Sequence, residues 1–150
     1  MAFLHEQDAN FVRARFEKEL EHDVTLEFFA PSAGGIALPG QDWELAEYTR
    51  QILTEVAALS SKIHLNVHST VAEPEVVQTL GIVRTPATAI IGAQDYGVRF
   101  YGMPAGYEFA TLLELIVAAS QGRPPISESS RQVLARLQDD IHIQVFVTPT

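Results

Sequence analysis

Two histidines four residues apart, His64 and His68, are the first pair in this chain whose types and spacing could do chemistry. An H-x-x-x-H spacing holds a metal when both imidazoles leave one face of a helix. The segment that carries them, I-H-L-N-V, alternates as a strand instead. At about 3.3 Å per residue the two rings then stand about 13 Å apart, too far to share an ion. They read as solvated or structural histidines, and His5, His22 and His142 have no histidine or cysteine ligand beside them in sequence. Gly34-Gly35 before a helix has the composition of a phosphate cradle, but no Gly-Lys-Ser/Thr follows, so it reads as a flexible loop. The nucleophile elbow Gly-x-Ser-x-Gly is missing, as is any acid–base constellation. With no cysteine in 150 residues the chain has no disulfide, no thiolate nucleophile and no Cys-based zinc site. No catalytic residue, metal ligand, cofactor-binding residue or cofactor is assigned.

Composition narrows the partners. A chain of 150 residues, 47% hydrophobic, makes one compact domain or one plus a fragment. Its net charge of −9, with no Lys/Arg stripe, repels phosphate backbones and argues against nucleic acid. Met1 to Asn10 holds no apolar signal-peptide core. The longest apolar stretch, Leu112 to Ala119, is broken by Glu114 and falls far short of the ~20 residues that span a bilayer. A soluble, cytoplasmic protein without a membrane partner is expected.

The elements that must position any site follow from periodicity. Asp8 to Leu20 puts Val12, Phe16 and Leu20 at helical spacing, with Asp8 as N-cap. Val24 to Ala30 reads as a strand, and Pro31 to Asp42 as a Gly/Pro loop. A long helix then shows Leu45, Tyr48, Ile52, Leu53, Val56 and Leu59 on one face. Ile63 to Val67 is a second strand, and Glu73-Pro74 opens a short helix that Gly81 closes. Ala87 to Ile91 and Val98 to Tyr101 form a hairpin around the turn 92–97. Phe109, Leu112, Leu113, Ile116 and Val117 make an amphipathic helix, which Gly122 to Pro125 ends. The order β-α-β-α-β-β-α behind one extra helix predicts an α/β fold, a mixed four-stranded sheet with two helices on each face. Ser127 to Gln138 reads as a further helix and Ile141 to Val147 as a strand. The run D-V-T-L-E-F-F-A-P-S from Asp23 lines up with D-I-H-I-Q-V-F-V-T-P-T from Asp140, a weak internal repeat with one inserted residue.

Two stretches carry a resemblance. Residues 52–91 contain I-L-T-E-V-A-A-L, a strand, then L-G-I-V-R-T-P-A-T-A-I-I, which resembles the thioredoxin fold where it holds a cis-proline beside its active site. Residues 96–109, Y-G-V-R-F-Y-G-M-P-A-G-Y-E-F, resemble the tandem protein disulfide oxidoreductases, also called glutaredoxin-like proteins, and the N-terminal domain of the alkyl hydroperoxide reductase flavoprotein subunit. The resemblance implies a thioredoxin-like domain over residues 1–126, with Thr85-Pro86 as the cis bond. It implies that residues 127–150 are the helix and first strand of a second, truncated unit. The run Phe146-Val147-Thr148-Pro149-Thr150 is similar to the junction that precedes Cys-x-x-Cys in those families.

The departure from the pattern is the missing thiol pair. Counted forward from E-F-F-A, its positions fall on Ala33 and Ile36; counted backward from I-L-T-E-V, on Trp43 and Ala46. The loop is therefore lengthened by about ten residues as well as stripped, and the helix N-terminus that would acidify a thiol has none to act on. Glu27 matches the buried acid behind a thioredoxin active site and, with no thiol to serve, is expected to hold a local partner or partial exposure. Ser32 is similar in place to the thiolate-binding serine of some glutathione transferases, whose helical second domain is not matched here. Arg99, Tyr101 and the run Gly106 to Phe109 read as exposed family features, with Glu108 serving a helix first turn.

What the resemblance implies is a redox-inactive thioredoxin-fold domain that packs against or docks a catalytic thioredoxin-fold half or another protein. Thr85, Pro86, Ala33, Gly34 and Gly35 would line the partner groove. The alternative is a free-standing peptide-binding module that pairs with a second copy through its terminal strand. For the end at Thr150 the readings are an isolated domain, a true stop, or an in-frame UGA codon where the family has its first catalytic cysteine.

Overall fold

The computed structural model describes residues 3–31 and 43–148. Helix α1 spans Glu6–Glu19 and buries Val12 and Phe16. It begins two residues before the expected Asp8, with His5 as N-cap, so that Glu6 and Asp8 both sit in the first turn against the positive end of the helix dipole. Strand β1 (Val24–Ala30) follows, then α2 (Trp43–Ala57), β2 (Ile63–Ser69), α3 (Pro74–Thr79), β3 (Ala87–Ile91), β4 (Arg99–Tyr101), α4 (Tyr107–Gln121) and α5 (Glu128–Leu134).

The sheet order is β2-β1-β3-β4. β1 runs parallel to β2 and antiparallel to β3, and β3 pairs antiparallel with β4, which makes the sheet mixed as expected. Alternation along β1 decides the layers. Val24, Leu26 and Phe28 enter one core with Val12 and Phe16 of α1, Ile52, Leu53 and Val56 of α2, and Leu112 and Ile116 of α4. Phe29 points the other way, into a smaller cluster with Ile82, Ala87 and Ala89, flanked by Val76 and Val77 of α3. The layering is three helices against one, where two on each face were expected. α1 takes its place beside α4, held by Arg15 Nη2 on Glu114 Oε1 at 2.7 Å.

The inward face of α2 is also turned from the expected stripe. Tyr48 is 60% exposed, while Ala46 and Thr49 are buried with Ile52, Leu53 and Val56. Thr49 enters the core because its hydroxyl donates to Leu45 O at 2.7 Å, which leaves no unsatisfied polar group. A second joint ties the start of β1 to α4. Ser120 Oγ accepts the Glu21 and His22 N–H groups, both at 3.0 Å, and donates to His22 O.

Two glycines are required by geometry. Gly122 ends α4 in the left-handed conformation, φ 65°, with its N–H on Ala118 O and Ala119 O. Gly92 lies so close to α4 that an added Cβ would stand 2.1 Å from Ala119 O.

Beyond Gly122 the chain leaves the core. Every residue of α5 is exposed. Residues 141–148 form no regular secondary structure, and the strand expected over Ile141–Val147 is not present. A strand is stabilised by its ladder, and among the described residues none pairs with this segment to supply one.

Candidate functional site

The register places two of the expected groove residues together. Phe29 pairs with Ala87, so Thr85 and Pro86 come alongside Ala30 at the carboxyl end of β1. The Thr85–Pro86 peptide is cis. Pro86 is buried and its carbonyl accepts the Gly102 N–H at 2.9 Å, which ties it to the end of β4. Thr85 is half-buried, and before it Val83 is 82% exposed. The Arg84 guanidinium carbon lies 4.8 Å from the centroid of the Tyr101 ring, a cation–π contact that closes one side. The other three expected groove residues, Ala33, Gly34 and Gly35, lie outside the described residues, as do Ser32 and Ile36. Trp43 and Ala46, the second pair of positions at which a thiol would fall, are the first and fourth residues of α2.

Next to this end, on the face that α3 leaves open, lies a polar set that the sequence did not bring together. The parallel register puts Glu27 beside Asn66 and Phe29 beside His68. His68 Nε2 lies 2.6 Å from Glu27 Oε2 and its Nδ1 lies 2.9 Å from Glu73 Oε1. Asn66 Nδ2 donates to Glu27 Oε1 at 3.1 Å, and the His68 ring stacks on Phe29 at 4.9 Å between centroids. Glu73 also accepts the Ser69 N–H at 3.0 Å, which pins the start of α3. Burial works against the His68 imidazolium, but the hydrogen bonds to Glu27 and Glu73 outweigh it and raise the pKa above 6.5. The same contact, with the Ser69 N–H, holds the Glu73 carboxyl below its usual value of 4.5.

Chemically this set holds charge rather than moving it. A general base needs a free ring nitrogen aimed at a substrate, and both nitrogens of His68 face carboxylates. Glu27 has the local partners expected of it. His64 turns to Asp23, 3.0 Å away, and so shares no partner with His68. The signal for the set was present in sequence as E-x-F on one strand and N-x-H on another, but it becomes a contact only when the two strands pair in register.

At the opposite end of the sheet an apolar cavity of about 320 Å³ lies between the β3–β4 turn and the end of α4, lined by Tyr96, Val98, Leu115, Ala119, Gly122 and Pro124. Nothing in the spacing of these residues announced it. Arg99 of β4 is spent on the same turn, with Nη2 2.6 Å from Asp95 Oδ2. That hydrogen bond holds the Asp95 carboxyl down to about 2.

Known proteins support the fold and narrow the kinship. No family model matches the chain. The AhpF subunit of alkyl hydroperoxide reductase from Staphylococcus aureus is 25% identical over 126 residues, covering 83% of this chain and 22% of that protein. An NADH dehydrogenase of Bacillus subtilis is 25% identical over 134 residues, covering 87% of this chain and 22% of that protein. The chain thus spans about a fifth of the curated relatives it matches. Among solved structures, the AhpF subunit from Enterococcus faecalis superposes with a TM-score of 0.75 at 23% identity, over 90% of this chain and 61% of that one. A protein disulfide oxidoreductase of Aeropyrum pernix superposes with a TM-score of 0.72 at 21% identity, over 91% and 56%. The chain is a thioredoxin-like unit without cysteine, similar to the N-terminal domain of the AhpF subunit of alkyl hydroperoxide reductase and to archaeal protein disulfide oxidoreductase.

Proposed function

We propose that this chain is a redox-inactive thioredoxin-fold domain of a disulfide oxidoreductase-like protein, whose work is to pack against or dock a thiol-bearing thioredoxin-fold half or protein partner. One observation carries the reading: a fold similar to that of disulfide oxidoreductases contains no cysteine. A thiolate is the nucleophile of thiol–disulfide exchange, so the chain can contribute shape but no electrons. Thr85 and Pro86, with the Ala33 to Gly35 loop, are the docking edge of this reading, in which an extended segment of the partner pairs beside the half-buried Thr85. The domain division follows with it: residues 1–126 as the docking domain and 127–150 as the start of a second unit. The proposal places the domain in the cytoplasm beside its partner. Among the described residues no helix is long and apolar enough to cross a membrane.

Two measurements test the reading. An insulin-reduction assay on the chain is expected to stay at background, and turnover above background would overturn it. Titration calorimetry against the cysteine-bearing thioredoxin-fold unit of AhpF is expected to show binding that Thr85→Arg weakens about tenfold. Unchanged affinity in that variant would remove Thr85 from the docking edge.

A second reading, a binding module that pairs with another copy of itself, is favoured by the exposed C-terminal segment. Ile143, Val145, Phe146 and Val147 are each more than three-quarters exposed, more contiguous apolar side chain than a solvated tail carries without use.

A further inference from the structure

We infer that residues 141–147 of one copy add as a strand to the outer edge of β2 in a second copy. This deepens the self-association reading and rests on it, and it uses neither Thr85 nor Pro86.

The acceptor is defined by the backbone. β2 is an edge strand. Val24 N–H donates to Lys62 O at 2.8 Å, so the even-numbered residues of β2 turn their backbone groups towards β1. Leu65 and Val67 therefore turn their N–H and C=O groups outward. The opening is closed at both ends. Ile63 N–H donates to Ser60 O at 3.2 Å, while Ser69 spends its N–H on Glu73 Oε2 and its carbonyl on the Glu73 N–H. What is left runs from the Ile63 carbonyl to the Val67 carbonyl, enough for one short strand.

Among the described residues nothing guards this edge. It contains no proline, and Lys62 folds its ammonium onto Leu20 O and Glu21 O, 2.7 and 3.3 Å away, rather than standing out as a charged sentinel. The other edge, β4, is only three residues long.

The donor matches the acceptor in side-chain parity. On β2, Ile63 and Leu65 face the core beneath α2, and Val67 on the same side is 37% exposed. His64, Asn66 and His68 face the polar side, with Asp23, Glu27 and Glu73. The donor reads Ile141, Ile143, Val145 and Val147 on one side and His142, Gln144 and Phe146 on the other. With Ile143 and Val145 beside Leu65 and Val67, the apolar row lengthens the core. His142 and Gln144 then fall next to His64 and Asn66. A slip of one residue would put four aliphatic side chains on the polar face, so this parity is strongly selected. The donor also resembles β1 of its own chain, a segment that already pairs with β2 along its inner side. Two copies exchanging their segments reciprocally close on a two-fold axis, leaving neither edge open.

The test uses the full chain. Sedimentation velocity across a concentration series is expected to show a dimer that Ile143→Glu with Val145→Glu weakens about a hundredfold; both positions are exposed, so the fold is kept. Amide exchange read at Leu65 and Val67 is expected to be slow in the dimer and about tenfold or more faster in that variant. A monomer at every concentration would overturn the inference together with the self-association reading. A dimer with fast exchange at Leu65 and Val67 would overturn the β2 assignment, and a dimer indifferent to the double variant would overturn the strand addition by residues 141–147, each leaving self-association itself standing.

Discussion

The two faces of the sheet are made by the same strands and are built on different physics. On one, Val24, Leu26, Phe28 and Ile90 meet three helices in a continuous apolar layer. On the other, one helix of six residues covers Phe29, Ala87 and Ala89, and the remaining width is a ledge of Glu27, Asn66, His64 and His68. Alternate residues of β1 thus answer to two environments, oil and hydrogen-bonded charge. The first face supplies stability by burial, roughly 25 cal/mol per Å² of apolar surface. The second adds a smaller apolar cluster around Phe29 and, along its ledge, what the hydrogen bonds gain over water, about 1 kcal/mol each.

Substitutions break this contrast to different depths. The largest loss is expected from Phe28→Ala, which empties a fully buried site on the helix-covered face. Urea denaturation should show a fall of about 3–5 kcal/mol. Gly92→Ala presses a methyl onto the Ala119 carbonyl of the same layer, and thermal unfolding should register a loss of about 1–3 kcal/mol.

On the polar ledge His68→Gln should cost about 1–2 kcal/mol, and its pH profile is the sharper readout. The folded pKa of His68 lies above its ordinary 6.5, so its contribution is complete below pH 6.5 and is lost as pH rises through the folded value. Glu73 works in the opposite sense: its folded pKa lies below 4.5, and its contribution is lost as pH falls through that lower value. Urea midpoints of the parent chain should therefore decline on both the acid and the alkaline side, and His68→Gln should flatten the alkaline decline. An unchanged alkaline limb would mean that His68 is not the group that titrates. Asn66→Ala removes one hydrogen bond to Glu27 at an exposed edge, and should cost less than about 1 kcal/mol by the same denaturation.

Strands and short helices were legible where local pattern decides them. Ala87–Ile91 is bounded as its composition predicts, and Pro74 opens α3 at its first position. α2 was legible as a helix but not in its rotation. Tyr48 has the larger apolar surface, yet Thr49 is buried, because a hydroxyl bonded to the preceding turn can enter a core. The number of helices on each face was not legible either, since it follows from where α1 docks, across the Arg15–Glu114 pair 99 residues apart. The cis Thr85–Pro86 bond was readable from a compact motif. The His68 set was not, because His68 and Glu27 lie 41 residues apart and meet only through the parallel register.

The joint at Ser120 has a consequence for how the chain is made. Its hydroxyl closes the turn leading into β1, yet it lies 98 residues beyond His22. At ribosomal rates of about 5–20 residues per second, the strand at the centre of the sheet waits about 5–20 s for the group that seals its first turn. Over that interval β1 can pair with β2 and meet α2, but the turn before it lacks its seal and the α4 side of the core stays open. α4 is thus the element that completes the core, and a chain ending before it would lack both the seal on this turn and the apolar side chains that α4 adds.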